Sequence, residues 1–469
     1  MAYDVVVVGG GIGGLTPAAL LSAHGSSVCL FERQSQVGGC IGRTEFGGYD
    51  FDPGMGLYTD WGPGEIYDRV FGQLPVERPT APLIKSDYVV RLEHETDVRL
   101  RENDQDFAAE FALAFRECAK EATEFYQLVS DVNEQQNSNS FGRALKRLWS
   151  RDNANSERTT LDVLTSTSAR FQRFIDAQLN AFLHTGIESC AFGPACRALT
   201  IPRRKHYAIE NGIATVAERL AESVKQSGGV IRLNSPVLRL AFDGNGKAYG
   251  VDLLSGENVV AERAIISNLT IWDTYGKLVG LNRTPASIKS ELSKMQGTGA
   301  YLIYAALEDS ALTRLPSARF LIAHEELASS ENKFNEFTVS VGEPAIDTKR
   351  PVTIKTATEV APWFSFQTSE DDYEEWDQAA LTSLWGALHR GVPGLGAAIE
   401  VIESANPRTF YDSTRRKLGM VMGVESGRRH FTNETIFANV FLVGDTASAS
   451  FGLPSIVESA LWLANRLTK

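Results

Sequence analysis

The chain has 469 residues, with 46 Lys and Arg against 58 Asp and Glu and a formal net charge of −12. Apolar residues make up 43% and charged residues 22%, which excludes disorder and fibrous repeats. At roughly 150 residues per domain there is room for two or three domains. The acidic balance argues against nucleic acid, whose phosphates call for clustered Lys and Arg, and against broad docking on anionic lipid.

Residues 3–8 (Tyr-Asp-Val-Val-Val-Val) predict a buried parallel strand. Residues 13–25 read as a helix, and Val28-Cys-Leu-Phe31 as a second strand ending at Glu32. This β-α-β unit belongs to a doubly wound α/β sheet. Residues 104–134 predict one or two long amphipathic helices, and helical sequence continues to about 189. A helix within 209–228 precedes three short strands starting near 230, 237 and 250, and residues 264–267 form another buried strand. Residues 285–400 mix strands (299–307, 337–342, 352–357) with a helix at 370–390. Strand 440–443 and a helix from Pro454 to Leu467 repeat the opening pattern.

Five cysteines stand at 29, 40, 118, 190 and 196, without a CxxC pair, so neither a disulfide scaffold nor a zinc site is expected. Cys190 and Cys196 read as packed thiols rather than a redox pair. No run of about 18 apolar residues predicts a membrane span, and a cytoplasmic protein is expected.

The leading motif is Gly9-Gly10-Gly11-Ile12-Gly13-Gly14, which satisfies GxGxxG between a strand and a helix. Gly9 allows the tight turn, Gly11 the approach of a pyrophosphate, and Gly14 close packing of helix on strand. The helix N-terminus offers N–H groups to phosphate. Glu32, at the end of the second strand, is placed to accept from an adenosine ribose. Gly244-Asn-Gly246 reads as a hairpin turn and Gly297-Thr-Gly299 lacks the third glycine, so a separate NAD(P)H domain is not expected.

Glu32 is followed by Arg33, then by Gly38-Gly39-Cys40-Ile41-Gly42-Arg43-Thr44 and Gly47-Gly48-Tyr49-Asp50-Phe51-Asp52-Pro53-Gly54. At the other terminus stand Gly444-Asp445, Gly452-Leu453-Pro454 and Glu458-Ser459-Ala460. Together these resemble the fingerprints of the large FAD-dependent oxidases and desaturases. Three features are similar to the phytoene desaturase and carotenoid isomerase branch of the amine oxidase superfamily. These are Cys40 after the glycine pair, Pro407-Arg-Thr-Phe410 ahead of Gly419-Met-Val-Met-Gly423, and the block from Ile209 to Val237. Ser455 and Ala460 depart from the glycines common in the family.

The resemblance implies a Rossmann-type FAD-binding domain of the glutathione-reductase kind, from residues 1–60, 200–280 and 410–469. An interleaved α+β substrate domain would take 61–199 and 281–409. Cofactor contacts are expected at Gly9, Gly11, Ile12, Gly13, Gly14, Glu32, Arg33, Gly38, Gly39, Cys40, Arg43, Gly54, Met55, Val237, Gly444, Asp445, Gly452, Leu453, Pro454, Ser455 and Ile456. The resemblance further implies hydride transfer between FAD and an extended apolar, polyene or carotenoid-like substrate. A flavin-dependent reductase, isomerase or cyclase of a polyene, an amine oxidase, and a non-enzymatic flavin-binding protein stay open. Val421 and Met422, where an amine oxidase would want caging aromatics, weigh against amines. The electron acceptor is left open between oxygen, a quinone and another carrier.

Catalytic side chains are not nameable from motifs. His184, His206 and His389 are candidates, each expected to be a packed or surface histidine, and Arg203-Arg-Lys-His206 reads as a solvated turn. Residues 141–151 flank Leu145, Leu148 and Trp149 with basic residues, a composition that fits either a core-facing helix or peripheral membrane contact.

Overall fold

The computed structural model describes residues 1–54, 56–138, 158–295, 297–324, 334, 336–345, 348–364, 370–421, 433–447 and 452–468. Met55, Met422 and the whole of 141–151 lie outside the described residues.

The β-branched run at the start forms strand Ala2–Val8, with every side chain from Val5 to Val8 buried. It sits inside a seven-stranded sheet, counted among the described residues. In order across the sheet run Val230–Arg232, Val28–Phe31, Ala2–Val8, Asn258–Ser267, Ala248–Leu253 and Val237–Phe242, and Val440–Leu442 also pairs with Asn258–Ser267. The pairs from Val230–Arg232 to Asn258–Ser267, and the pair with Val440–Leu442, are parallel. The last two strands form an antiparallel meander, turning through Gly246 at φ +80° as the Gly-Asn-Gly pattern predicts.

Register decides where a site can form. Phe31, Val8, Ser267 and Leu442 share one row across four parallel strands. The residues that follow, Glu32, Gly9, Asn268 and Val443-Gly444, therefore leave the sheet together at its carboxyl edge. In open α/β sheets this edge is where ligands bind. Helices Ile12–Ala23, Ala214–Gln226 and Leu453–Thr468 cover one face and share a core with Val5, Val7, Leu30 and Ile266.

A second, mixed sheet is built in the order Ile399–Ala405, Gly299–Glu308, Lys349–Thr358, Glu336–Val341, Arg319–Ala323, Tyr88–Leu92 and Thr96–Leu100. Helices Asp104–Ala114, Ala119–Ser138, Ala169–Leu183 and Phe192–Thr200 pack against it around an aromatic cluster that includes Phe107, Phe111, Phe171 and Phe174.

Several strands were not foreseen. The hairpins Thr44–Phe46/Tyr49–Phe51 and Tyr88–Leu92/Thr96–Leu100, and strand Arg319–Ala323, are additions. Tyr-Val-Val-Arg-Leu hides its strand character because Arg91 breaks the apolar run. The structure buries Arg91 by pairing it with Asp97 across the hairpin, Nε and Nη2 donating at 2.7 and 2.8 Å. The basic run after Pro202 is a further correction. Arg203 is buried over the Phe107 ring and donates to Asp104, Arg204 grips both carboxylate oxygens of Asp60, and His206 is buried against the Ile201 carbonyl. It is a packed corner rather than a solvated turn. Cys190 and Cys196 are buried and form no disulfide among the described residues. Among the described residues no helix is long and apolar enough to cross a membrane, and no group of His, Cys, Asp and Glu could hold a metal ion.

Candidate active site

The carboxyl edge of the first sheet opens into a cavity of about 570 Å3. Its first wall is the glycine loop. Gly9 turns at φ +99° and its N–H donates to the Phe31 carbonyl at 2.8 Å. Gly14 and Leu15 donate to the Gly11 carbonyl, closing the first turn of the helix, while Ile12 and Gly13 face the cavity. The first amides of a helix carry a partial positive charge suited to phosphate.

The glycines answer to a residue that sequence reasoning missed. A Cβ on Gly11 would stand 2.7 Å from Asn268 Nδ2, and one on Gly13 would stand 2.4 Å from Asn268 Oδ1. Asn268 is wedged between the loop and Gly444. Its position, directly after a central parallel strand, was the available signal. Gly14 meets a different obstacle, since its Cβ would lie 2.2 Å from the Gly9 carbonyl oxygen.

Glu32 is buried and clamped. Its Oε2 accepts from Gly10 N–H at 2.7 Å and its Oε1 from Gln34 N–H at 2.8 Å. Each carboxylate oxygen keeps a second lone pair for an outside donor. Beside it, Arg33 Nη1 is buried without a hydrogen-bond partner among the described residues. The second glycine pair folds back on the first loop, with Gly38 N–H donating to Gly10 O at 2.8 Å and Gly38 at φ +112°. Cys40 follows on a short turn, and burial pushes its thiol up.

At the other end of the cavity Gly444 turns at φ +116° and Asp445 meets Arg416, whose Nη2 donates at 2.5 Å while its Nε donates to the Met420 carbonyl. Gly452 starts the final helix, and Leu453, Pro454 and Ile456 complete this wall with Val237 and Gly54. The second sheet and its helix Ala169–Leu183 supply Phe182, Ala300, Leu302 and Lys355, and the connecting segments add Leu57, Ile201 and Phe410.

Seventeen of the sequence-predicted residues thus line one cavity: Gly9, Gly11, Ile12, Gly13, Glu32, Arg33, Gly38, Gly39, Cys40, Gly54, Val237, Gly444, Asp445, Gly452, Leu453, Pro454 and Ile456. Gly14 and Ser455 stand behind the lining. Arg43 points away, bridging Asp50 at 3.0 Å and Glu218 at 3.4 Å. None of the three candidate histidines lines the cavity. His389 packs edge-on to Trp385, and His184 bonds Thr298 Oγ1 at 2.6 Å through Nδ1. Arg416 and Lys355, like Asn268, carry no motif.

These residues fit a dinucleotide. A clamped carboxylate, a buried guanidinium nitrogen with no hydrogen-bond partner among the described residues and a glycine helix start make up one strip of the lining. The fold and this site define an FAD-dependent oxidoreductase. The chain belongs to the family described as flavin containing amine oxidoreductase, whose model matches residues 12–269. It is similar to the chloroplastic prolycopene isomerase of Arabidopsis thaliana, at 24% identity over 99% of this chain and 82% of that protein. It is similar to 4,4'-diaponeurosporene oxygenase of Staphylococcus aureus, at 24% identity over 100% of this chain and 98% of that protein. In fold it is similar to the crystal structure of an oxidoreductase from Methanosarcina mazei, with a TM-score of 0.70 and 16% identity over 99% of this chain and 100% of that one.

Proposed function

We propose that the enzyme transfers hydride between FAD and an extended apolar polyene of carotenoid-like class. The observation that carries the reading is the continuity of the cavity. One lining runs from the glycine loops to Phe182, Ala300 and Leu302. In this reading residues 1–60, 200–280 and 410–469 form the cofactor domain, and 61–199 and 281–409 the substrate domain. Two relatives named for long conjugated hydrocarbons, prolycopene and diaponeurosporene, support the substrate class.

Each residue then has a task. Glu32 accepts from the adenosine ribose, and Arg33 Nη1 donates at the same end. The amides of Ile12 and Gly13 receive the pyrophosphate. The Asp445–Arg416 pair would hold the ribityl end of the cofactor, and the N-terminus of the final helix would stabilise negative charge on the flavin. When bound, the flavin supplies the hydride acceptor or donor at N5. The apolar wall excludes water and aligns the polyene along its length.

A second reading keeps the cofactor but yields no net redox change, as a polyene isomerase would, and the prolycopene isomerase similarity over nearly the whole chain favours it. An amine substrate fits less well, because Val421, rather than an aromatic that would cage an amine, stands in the lining. Incubation of the FAD-loaded protein with phytoene- and lycopene-type polyenes, followed by mass analysis, separates the three. The expected product has lost hydrogen in pairs. A product of unchanged mass selects the isomerase reading. Untouched polyenes, with hydrogen peroxide released from amines, would overturn the polyene assignment.

A further inference from the structure

We propose that Tyr58, backed by Asp52, is the proton acceptor of the reaction, taking a proton from the carbon next to the one that loses hydride. The proposal rests on the desaturating form of the polyene reading above and deepens it.

Pro53, Gly54, Leu57, Tyr58 and Thr59 all line the cavity. Their segment is pinned at three carbonyls. Thr353 Oγ1 donates to Asp52 at 2.7 Å, Arg319 Nη1 to Gly56 at 3.2 Å, and Tyr207 N–H to Tyr58 at 2.9 Å. The Tyr58 hydroxyl donates to Asp52 Oδ1, and Gly54 N–H donates to the same oxygen at 2.8 Å. A Cβ on Gly54 would stand 2.6 Å from the hydroxyl oxygen. The phenol thus meets the lining beside a residue that has no side chain. The acids of the lining are engaged elsewhere. Glu32 holds the Gly10 and Gln34 amides, Asp273 pairs with Lys277 at 2.7 Å, and Asp445 pairs with Arg416.

Loss of a hydrogen pair from a polyene breaks two C–H bonds. One hydrogen leaves as hydride to the flavin, which is the oxidant. The other leaves as a proton, and its electron pair becomes the new C=C bond. A wall that excludes water needs a fixed group to take that proton. The Tyr58 oxygen binds it while the hydroxyl's own proton passes to Asp52 Oδ1. No phenolate has to form, and burial and the Asp52 charge hold the Tyr58 hydroxyl well above its ordinary range. Burial also raises Asp52 above the ordinary carboxylate range, against the pull of the Tyr58 hydroxyl and Gly54 N–H. A carboxylate raised in this way is the stronger base. Tyr67 of helix Ile66–Phe71 faces Tyr58, and Tyr304 of strand Gly299–Glu308 faces Asp52. Burial raises both phenols, so they stay neutral and Asp52 is the group that titrates.

The test follows conversion of phytoene by the FAD-loaded protein from about pH 5 to 9, beside FAD content and polyene affinity read by fluorescence quenching. Wild-type conversion should rise with pH and level off, because Asp52 must be unprotonated to accept. Tyr58→Phe keeps the ring and removes the relay. Its conversion should fall at least about tenfold, toward the hundredfold that a positioned acid–base group contributes, with FAD content and polyene affinity unchanged. Asp52→Asn keeps an oxygen for Gly54 N–H and should lose the pH dependence with most of the rate. If Asp52→Asn fails to fold, Tyr58→Phe decides alone. A smaller loss in Tyr58→Phe, a parallel loss of FAD or polyene binding, or an unchanged acid limb in Asp52→Asn overturns the role of the pair and leaves the polyene reading standing. A wild-type product of unchanged mass overturns the desaturating reading and the proton step with it. Polyenes left untouched by the wild type overturn the polyene reading itself.

Discussion

Gly14→Ala should cost the protein about 3 kcal/mol of stability and most of its bound FAD, through a single added methyl group. The Cβ would sit 2.2 Å from the Gly9 carbonyl oxygen, 3.1 Å from Asn268 Cβ and 3.2 Å from Val7 Cγ1. Two of these obstacles belong to a backbone turn and a β-branched core residue, neither of which can swing aside. Relief would require the helix to lift from the strand, which would carry the amides of Ile12 and Gly13 away from the cavity. Gly25→Ala is the matching control. Gly25 adopts φ +86° but has nothing within 4 Å of an added Cβ. Its cost is backbone strain of about 1 kcal/mol, with FAD retention unchanged. Thermal melting and flavin absorbance after gel filtration measure both effects. Equal behaviour of the two variants would contradict the close packing described for the loop.

Arg416→Met is the second large effect. The guanidinium holds Asp445 at 2.5 Å and the Met420 carbonyl at the same distance, with side-chain exposures of 16% for Arg416 and 23% for Asp445. Removing it leaves a poorly solvated carboxylate in the cavity wall, a loss of about 3 kcal/mol, and frees the segment that carries Val421. FAD affinity should fall with it. Adding Asp445→Asn to Arg416→Met should restore most of the stability, because the stranded charge is gone. FAD affinity should stay low in the double variant, since both partners at the proposed ribityl end are lost. A double variant no more stable than the single one would show that Arg416 acts through packing rather than through Asp445.

The parts of the site that were legible are those that local sequence dictates. A β-branched run, a glycine loop and an acid after the second strand are contiguous within residues 3–32, and their geometry follows from backbone rules. Gly444, Asp445 and the final helix read in the same way. Asn268, Arg416 and Lys355 did not, for a common reason: each acquires its role from pairing between distant segments. Asn268 meets Gly11 because strand Ala2–Val8 lies parallel to Asn258–Ser267. Arg416 meets Asp445 from 29 residues away in sequence. Lys355 alternates with Val352 and Ile354 as a solvent-facing strand residue would, and only the placement of Leu302 beside it turns that face into a cavity wall. The Tyr88–Leu92 hairpin was hidden by the same limit, since Arg91 is made burial-competent by Asp97 across the turn.

The central claim is that one cavity brings a polyene to the flavin held by both chain ends. Its most direct measurement is the absorbance of the FAD-loaded protein on anaerobic mixing with conjugated polyenes and, separately, with primary amines. The account predicts that a polyene bleaches the oxidised flavin bands, or restores them when the flavin is first reduced, and that amines leave them unchanged. Bleaching by amines with no response to any polyene in either redox state would contradict it.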